Sequence, residues 1–110
     1  MAQDLFVFQL KSDFLKALAH PARLRIIECL RKREASVGDL VRRLEMEQSG
    51  LSKHLAILKQ VGILRSRQEK VTVFYSIRDG EVFKVLRPVT MILKRKMLES
   101  HKMLDQLGKH

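Results

Sequence analysis

Ser49, Ser52, Lys53, Ala56 and Gln60 follow one another mostly at intervals of three and four, with Gln48 just ahead, a spacing that gathers side chains on one helical face. The chemistry they offer is hydrogen bonding: hydroxyls, amides and a cation around one small residue. No activated nucleophile with a base beside it, no Gly-rich phosphate loop and no acid pair accompanies them, so no enzyme is expected. Short donors and acceptors on a helix that can come close suit the base edges of the DNA major groove. The same pattern describes an ordinary solvated helix face, and this helix alone leaves both readings open.

The next segment favours DNA. Ile63 to Gln68 and Val71 to Ile77 are rich in Ile, Val, Thr, Phe and Tyr, with Val71, Val73, Tyr75 and Ile77 alternating, and Glu69 and Lys70 between the two runs. That predicts a β-hairpin with Arg65, Arg67 and Lys70 on or near its tip, placed to lie along phosphates without reading sequence. From Arg42 to Lys70 seven basic residues face three acidic ones, Glu45, Glu47 and Glu69. Gln48, Ser49, Ser52 and Lys53 are expected in the groove, and His54 as a packing or phosphate contact.

These residues need a scaffold. Setting Leu51 at the centre of the packing side, Leu55 and Leu58 fall within roughly 40° of it, opposite the polar face. A shorter helix is expected to open at Ser36 in a capping box with Asp39, burying Leu40, Val41 and Leu44. Glu45 to Glu47 would form a turn, the second helix would run from about Gln48 to Val61, and Gly62 would end it in a left-handed conformation. Two helices, a turn and a hairpin over 36–77 spell a winged helix-turn-helix. The fold class is mainly α with a small β-hairpin wing.

Around this head, Asp4 to Leu18 has apolar residues on more than one stripe and needs cover on two sides. Pro21 would start a core helix through about Arg33 with Leu24, Ile27 and Leu30 inside. Asp79 can cap a short helix to about Leu86, and Pro88 would open a last one to about Leu107, carrying Val89, Leu93, Met97 and Leu104. An apolar first helix (4–18) and last helix (88–107) predict a two-fold dimer built from the terminal helices, against a monomer whose ends fold back on its own core. Lys94, Arg95, Lys96, Lys102 and Lys109 outnumber Glu99 and Asp105 in the tail, as a solvated face or as a source of long-range attraction to DNA.

At 110 residues the chain is expected to be one domain, 1–110, with a small core. Its net charge of +10 favours a polyanionic partner, double-stranded DNA ahead of an anionic membrane surface. No apolar run is long enough to cross a bilayer and no signal peptide is visible, so a cytoplasmic location is expected and no membrane partner. The lone Cys29 agrees with a reducing compartment.

Three segments in order, Leu18-Ala-His-Pro-Ala-Arg-Leu-Arg-Ile26, Gln48-Ser-Gly-Leu-Ser-Lys-His-Leu55 and Gly62-Ile-Leu64, resemble the ArsR/SmtB family of bacterial and archaeal repressors over about residues 10 to 85. The resemblance implies a homodimer with one winged helix per subunit, bound to a roughly palindromic operator and released by a metal or another signal. Metal-sensing members carry a Cys-x-Cys pair where this chain has Ser36 and Gly38, which offer no soft thiolate. A second familiar metal site would fall on Asp79, Glu81, Ile92 and Arg95, where Ile92 cannot coordinate and Arg95 repels cations. No metal and no cofactor are therefore expected, and the inducer is unknown.

Some redox-responsive relatives pair a cysteine in the second helix with one near the end, and this chain has no second cysteine. Cys29 reads as a small buried side chain beside Ile26 and Leu30, as a lone thiol redox sensor or as an intersubunit contact. His20 reads as a helix-start residue, and the spacing of His101 and His110 suits no metal. The family often has Gly in the turn and Ser or Thr capping the recognition helix, where Glu45 and Glu47 add negative charge near DNA. The expected function is a sequence-specific, homodimeric DNA-binding repressor. The alternative is a winged-helix protein-interaction module that meets an acidic partner with its basic face.

Overall fold

Helices α2 (Pro21–Cys29) and α3 (Val37–Leu44) begin at residues whose side chains satisfy stray backbone groups. The computed structural model describes residues 2–98 and 106–108. It contains α1 Ala2–Leu18, α2 Pro21–Cys29, β1 Ala35–Ser36, α3 Val37–Leu44, α4 Gln48–Gln60, β2 Leu64–Glu69, β3 Thr72–Ile77 and α5 Glu81–Lys96. Residues 1–78 form one compact unit and residues 79–110 a second. Among the described residues no helix is long and apolar enough to cross a membrane.

In the first unit α2, α3 and α4 enclose a core in which Ile26, Ile27, Leu40, Leu51, Leu55 and Leu58 are fully buried. His20 starts α2 as expected, its Nδ1 accepting the Ala22 N–H at 3.1 Å beside Pro21. That helix ends at Cys29, short of Arg33, and Leu24 is not core but 39% exposed. The chain has to be extended by Ala35, where β1 pairs with β3, and this tertiary pairing overrides the helix propensity of Arg31, Lys32 and Arg33.

The short β1 makes the wing a three-stranded antiparallel sheet of order β1-β3-β2, in place of the expected bare hairpin. Ala35 lies opposite Tyr75 and Ser36 opposite Phe74. Two residues are too few to show an alternating pattern. The hairpin register also differs from expectation by one residue. Glu69 pairs with Thr72, so the turn is Lys70-Val71 and not Glu69-Lys70. Val71 leaves the alternation and is 94% exposed, while Lys70 takes a left-handed φ of 57°.

α1 forms over the expected span, yet only its end, Ala17 and Leu18, is buried. Leu5, Phe6, Phe8, Leu10 and Leu15 are all more than half exposed. In the second unit Pro88 does not open a new helix but lies inside a continuous α5. A proline ring fits helical φ and removes one backbone donor, and here the flanking turns hold the helix through that loss. Asp79 Oδ1 accepts the Glu81 N–H at 2.9 Å at its start. Val85, Val89 and Ile92 lie along α5 at helical spacing and are exposed. α5 closes at Lys96, and Leu104, His101 and His110 of the expected tail lie outside the described residues.

Candidate nucleic-acid interface

The reading head begins with the reciprocal cap the sequence predicts. The Asp39 N–H donates to Ser36 Oγ at 3.1 Å and the Ser36 N–H donates to Asp39 Oδ2 at 3.4 Å. The Ser36 hydrogen bonds, helped by Arg42 and Arg43, hold the Asp39 carboxyl below the usual carboxylate range. α3 then stops at Glu45, which adopts φ 53°, ψ 47° while its N–H donates to the Val41 carbonyl. A side chain in that left-handed well costs about 1 kcal/mol relative to glycine. The turn keeps the geometry that glycine supplies without strain, and Glu45 sits in it exposed.

Glu47 precedes α4 in an extended conformation without a side-chain cap. At the other end Gly62 has φ 86°, its N–H donates to the Lys59 carbonyl at 3.1 Å, and the Ile63 N–H donates to the Leu58 carbonyl at 3.0 Å. This is a full Schellman termination, and it turns the chain directly into β2. Between these ends α4 divides as the helical wheel predicts. Leu51, Leu55 and Leu58 are fully buried, whereas Gln48, Ser49, Ser52, Lys53, Ala56 and Gln60 are exposed together. Lys53 has no carboxylate partner among the described residues.

His54 belongs to the packing and not to the exposed face. Its ring lies 4.4 Å from that of His20, and its Nδ1 accepts the Arg23 Nε–H at 3.0 Å. Burial, with His20 and Arg23 adding to it, holds His54 below its ordinary value, so the neutral acceptor form is favoured. The contact joins α2 to the middle of α4 across 31 positions of sequence.

On β2 the side chains alternate between sheet faces. Leu64 is buried, Ser66 accepts the Lys59 ammonium of α4 at 2.8 Å, and Arg65, Arg67 and Glu69 share the opposite face. The three wing cations are not equivalent. Lys70 stands in the turn with no ion pair among the described residues, and the Arg65 Nε–H reaches Ser76 Oγ at 3.4 Å. Arg67 is paired although half exposed: its Nε–H donates to Glu34 Oε2 at 2.9 Å, its Nη2–H to Glu34 Oε1, and its Nη1–H to Glu69 Oε2 at 2.9 Å. Its guanidinium carbon also lies 4.5 Å from the centre of the Phe74 ring. Arg67 holds the Glu34 carboxyl below the usual range, and the two carboxylates raise Arg67 above its ordinary value. Glu34 and Arg23 are contributors the sequence reading missed, because no local pattern links residues so far apart.

Cys29 is half-buried, in a groove with Arg31, Lys32, Arg33 and Arg43, and is not sealed in the core. Among the described residues no three His, Cys, Asp or Glu side chains gather in a way that would hold a metal ion.

Residues 18–67 match a family described as a helix-turn-helix domain. Rv0081, an HTH-type transcriptional regulator of Mycobacterium tuberculosis, is 34% identical over 102 residues, covering 92% of this chain and 90% of its own length. Its crystal structure superposes with a TM-score of 0.76 at 35% identity, over 84% of this chain and 94% of its own. The transcriptional activator HlyU of Vibrio cholerae is 48% identical over 68 residues, 62% of this chain and 63% of its own. A transcriptional repressor of Synechocystis, an SmtB homolog, is 33% identical over 81 residues, 74% of this chain and 61% of its own. A capped first helix, a tight turn, a second helix with one polar face left open and a wing closed by a third strand, together with these likenesses, place the chain in the ArsR/SmtB family of winged helix-turn-helix transcriptional regulators.

Proposed function

We propose that the protein acts in the cytoplasm as a homodimer that binds a roughly palindromic DNA operator and represses transcription by occupying it. The observation that carries the reading is the division of α4, whose leucines are sealed while Ser49, Ser52, Lys53, Ala56 and Gln60 stay open. Gln48, Ser49, Ser52 and Lys53 read base edges, and Arg65 and Lys70 meet phosphates. His54 supports α4 from behind. Arg67 commits three of its five N–H donors to Glu34 and Glu69 and, half exposed, keeps two for a phosphate.

The dimer rests on α1, where Leu5, Phe6 and Phe8 are 63–71% exposed, and on the exposed Val85, Val89 and Ile92 of α5. Apolar stripes of this kind are normally covered, and a second copy would cover them symmetrically. Two winged heads related by a two-fold axis read a site with the same symmetry. A dimer bound at a promoter blocks polymerase by occupancy alone, which needs no further contact surface. No metal, cofactor or catalytic step enters this reading.

Fluorescence anisotropy with duplex DNA from upstream of the protein's own gene, against a scrambled duplex over a salt series, tests it. A preference of about 10³ or more is expected of a sequence-specific regulator. Equal, weak binding to both duplexes would count against it. Sedimentation at micromolar concentration is expected to give a dimer, and a lone monomer would remove the two-fold operator.

A further inference from the structure

We infer that Glu34 is a positioning residue for DNA binding: through Arg67 it fixes the wing relative to the reading head, so that an acidic side chain supports the binding of a polyanion. The inference rests on the DNA-binding reading of the wing and goes beyond it, because charge alone assigns Glu34 the opposite sign.

Three consecutive residues make the link. Ser36 caps α3, Ala35 is buried and pairs with Tyr75, and Glu34 takes the Arg67 guanidinium with both of its oxygens. The strand that connects to the reading head is thus tied to the wing twice, by its short β-ladder with β3 and by the Glu34 fork on β2. A ladder of two residues is a weak hinge stop. The fork adds what it lacks. Bidentate pairing of a planar guanidinium with a carboxylate fixes orientation as well as distance. Phe74, directly across the ladder from Arg67, supports the guanidinium from its ring face, and Glu69 holds the remaining Nη1. Arg67 therefore has donors committed to two carboxylates and a flat side on an aromatic ring, which is the coordination of a clamp. Lys70 and Arg65, on either side of it, remain for phosphate.

The test is Glu34→Gln, which keeps size and removes charge, read by operator affinity over a salt series and by NMR of the Arg67 Nε–H and the wing amides. Electrostatics alone predicts tighter binding by the variant and a steeper salt dependence, since a carboxylate is lost and Arg67 is freed for phosphate. The clamp predicts the reverse: binding weaker by about two- to fivefold, salt slope unchanged, Arg67 Nε–H protection lost and faster amide exchange from Arg67 to Phe74. Arg67→Lys, which keeps the charge and loses the fork, should behave like Glu34→Gln. Tighter binding with a steeper slope, unchanged binding in Glu34→Gln, or wild-type affinity in Arg67→Lys overturns the inference. A wild-type protein that ignores duplex DNA defeats the proposed function instead. In that event an Arg67 Nε–H signal present in the wild type and lost in Glu34→Gln still upholds the clamp, and its absence from the wild type overturns it.

Discussion

Replacing Lys70 with alanine separates electrostatic contact from sequence reading. Lys70 projects from the hairpin turn at φ 57° and has no carboxylate partner among the described residues, so its whole charge is available to a phosphate. Each phosphate neutralised contributes about 0.9 to the slope of log affinity against log salt. In a two-fold dimer the substitution removes one contact from each protomer, and the slope should flatten by about 1.8. Between about 50 and 200 mM salt the affinity gap between wild type and Lys70→Ala should therefore shrink about tenfold. The loss should be the same on operator and scrambled duplex, because a turn lysine touches no base. Anisotropy titrations at four or five salt concentrations on both duplexes measure it. Parallel salt lines for the two proteins would refute the reasoning, and so would a loss confined to the operator.

Ser52→Ala should act the other way, reducing discrimination between operator and scrambled DNA by about 25-fold, the worth of one hydrogen bond in each of two protomers, with little change in salt slope. Glu45→Gly relieves a left-handed side chain, with part of the gain returned as unfolded-chain entropy, so a net stabilisation of no more than about 0.5 kcal/mol is expected in denaturant titrations. Stability should also fall on acidification. His54 is held below its ordinary value, so the unfolded chain takes up the proton first, and the contribution of the neutral ring is complete above about pH 6.5 and lost as pH drops further. Denaturant midpoints at neutral and mildly acidic pH measure this, and His54→Gln should flatten the dependence; an equal slope in both proteins would assign the effect to other groups.

Much of this molecule is written locally in its sequence. The Ser36 and Asp39 cap, the Gly62 termination and the two faces of α4 each depend on residues three to five positions apart, within the reach of backbone hydrogen bonds and helical periodicity. Local pattern also identified the wing and the α1 stripe that nothing in the first unit covers. Tertiary structure decided the rest. A two-residue β1 has no period to read, and its pairing with β3 is what cuts α2 short at Cys29. The hairpin turn moved to Lys70-Val71 because cross-strand pairing, and not the residue types at the tip, sets register. Pro88, which locally signals the start of a separate last helix, lies inside a continuous α5. Above all, Arg67 reads in sequence as one more free cation, yet Glu34, 33 positions away, takes its fork, just as Arg23 takes the acceptor of His54 across 31. Which charges face DNA and which hold the protein together depends on distances in space, and spacing along the chain encodes distance only within an element.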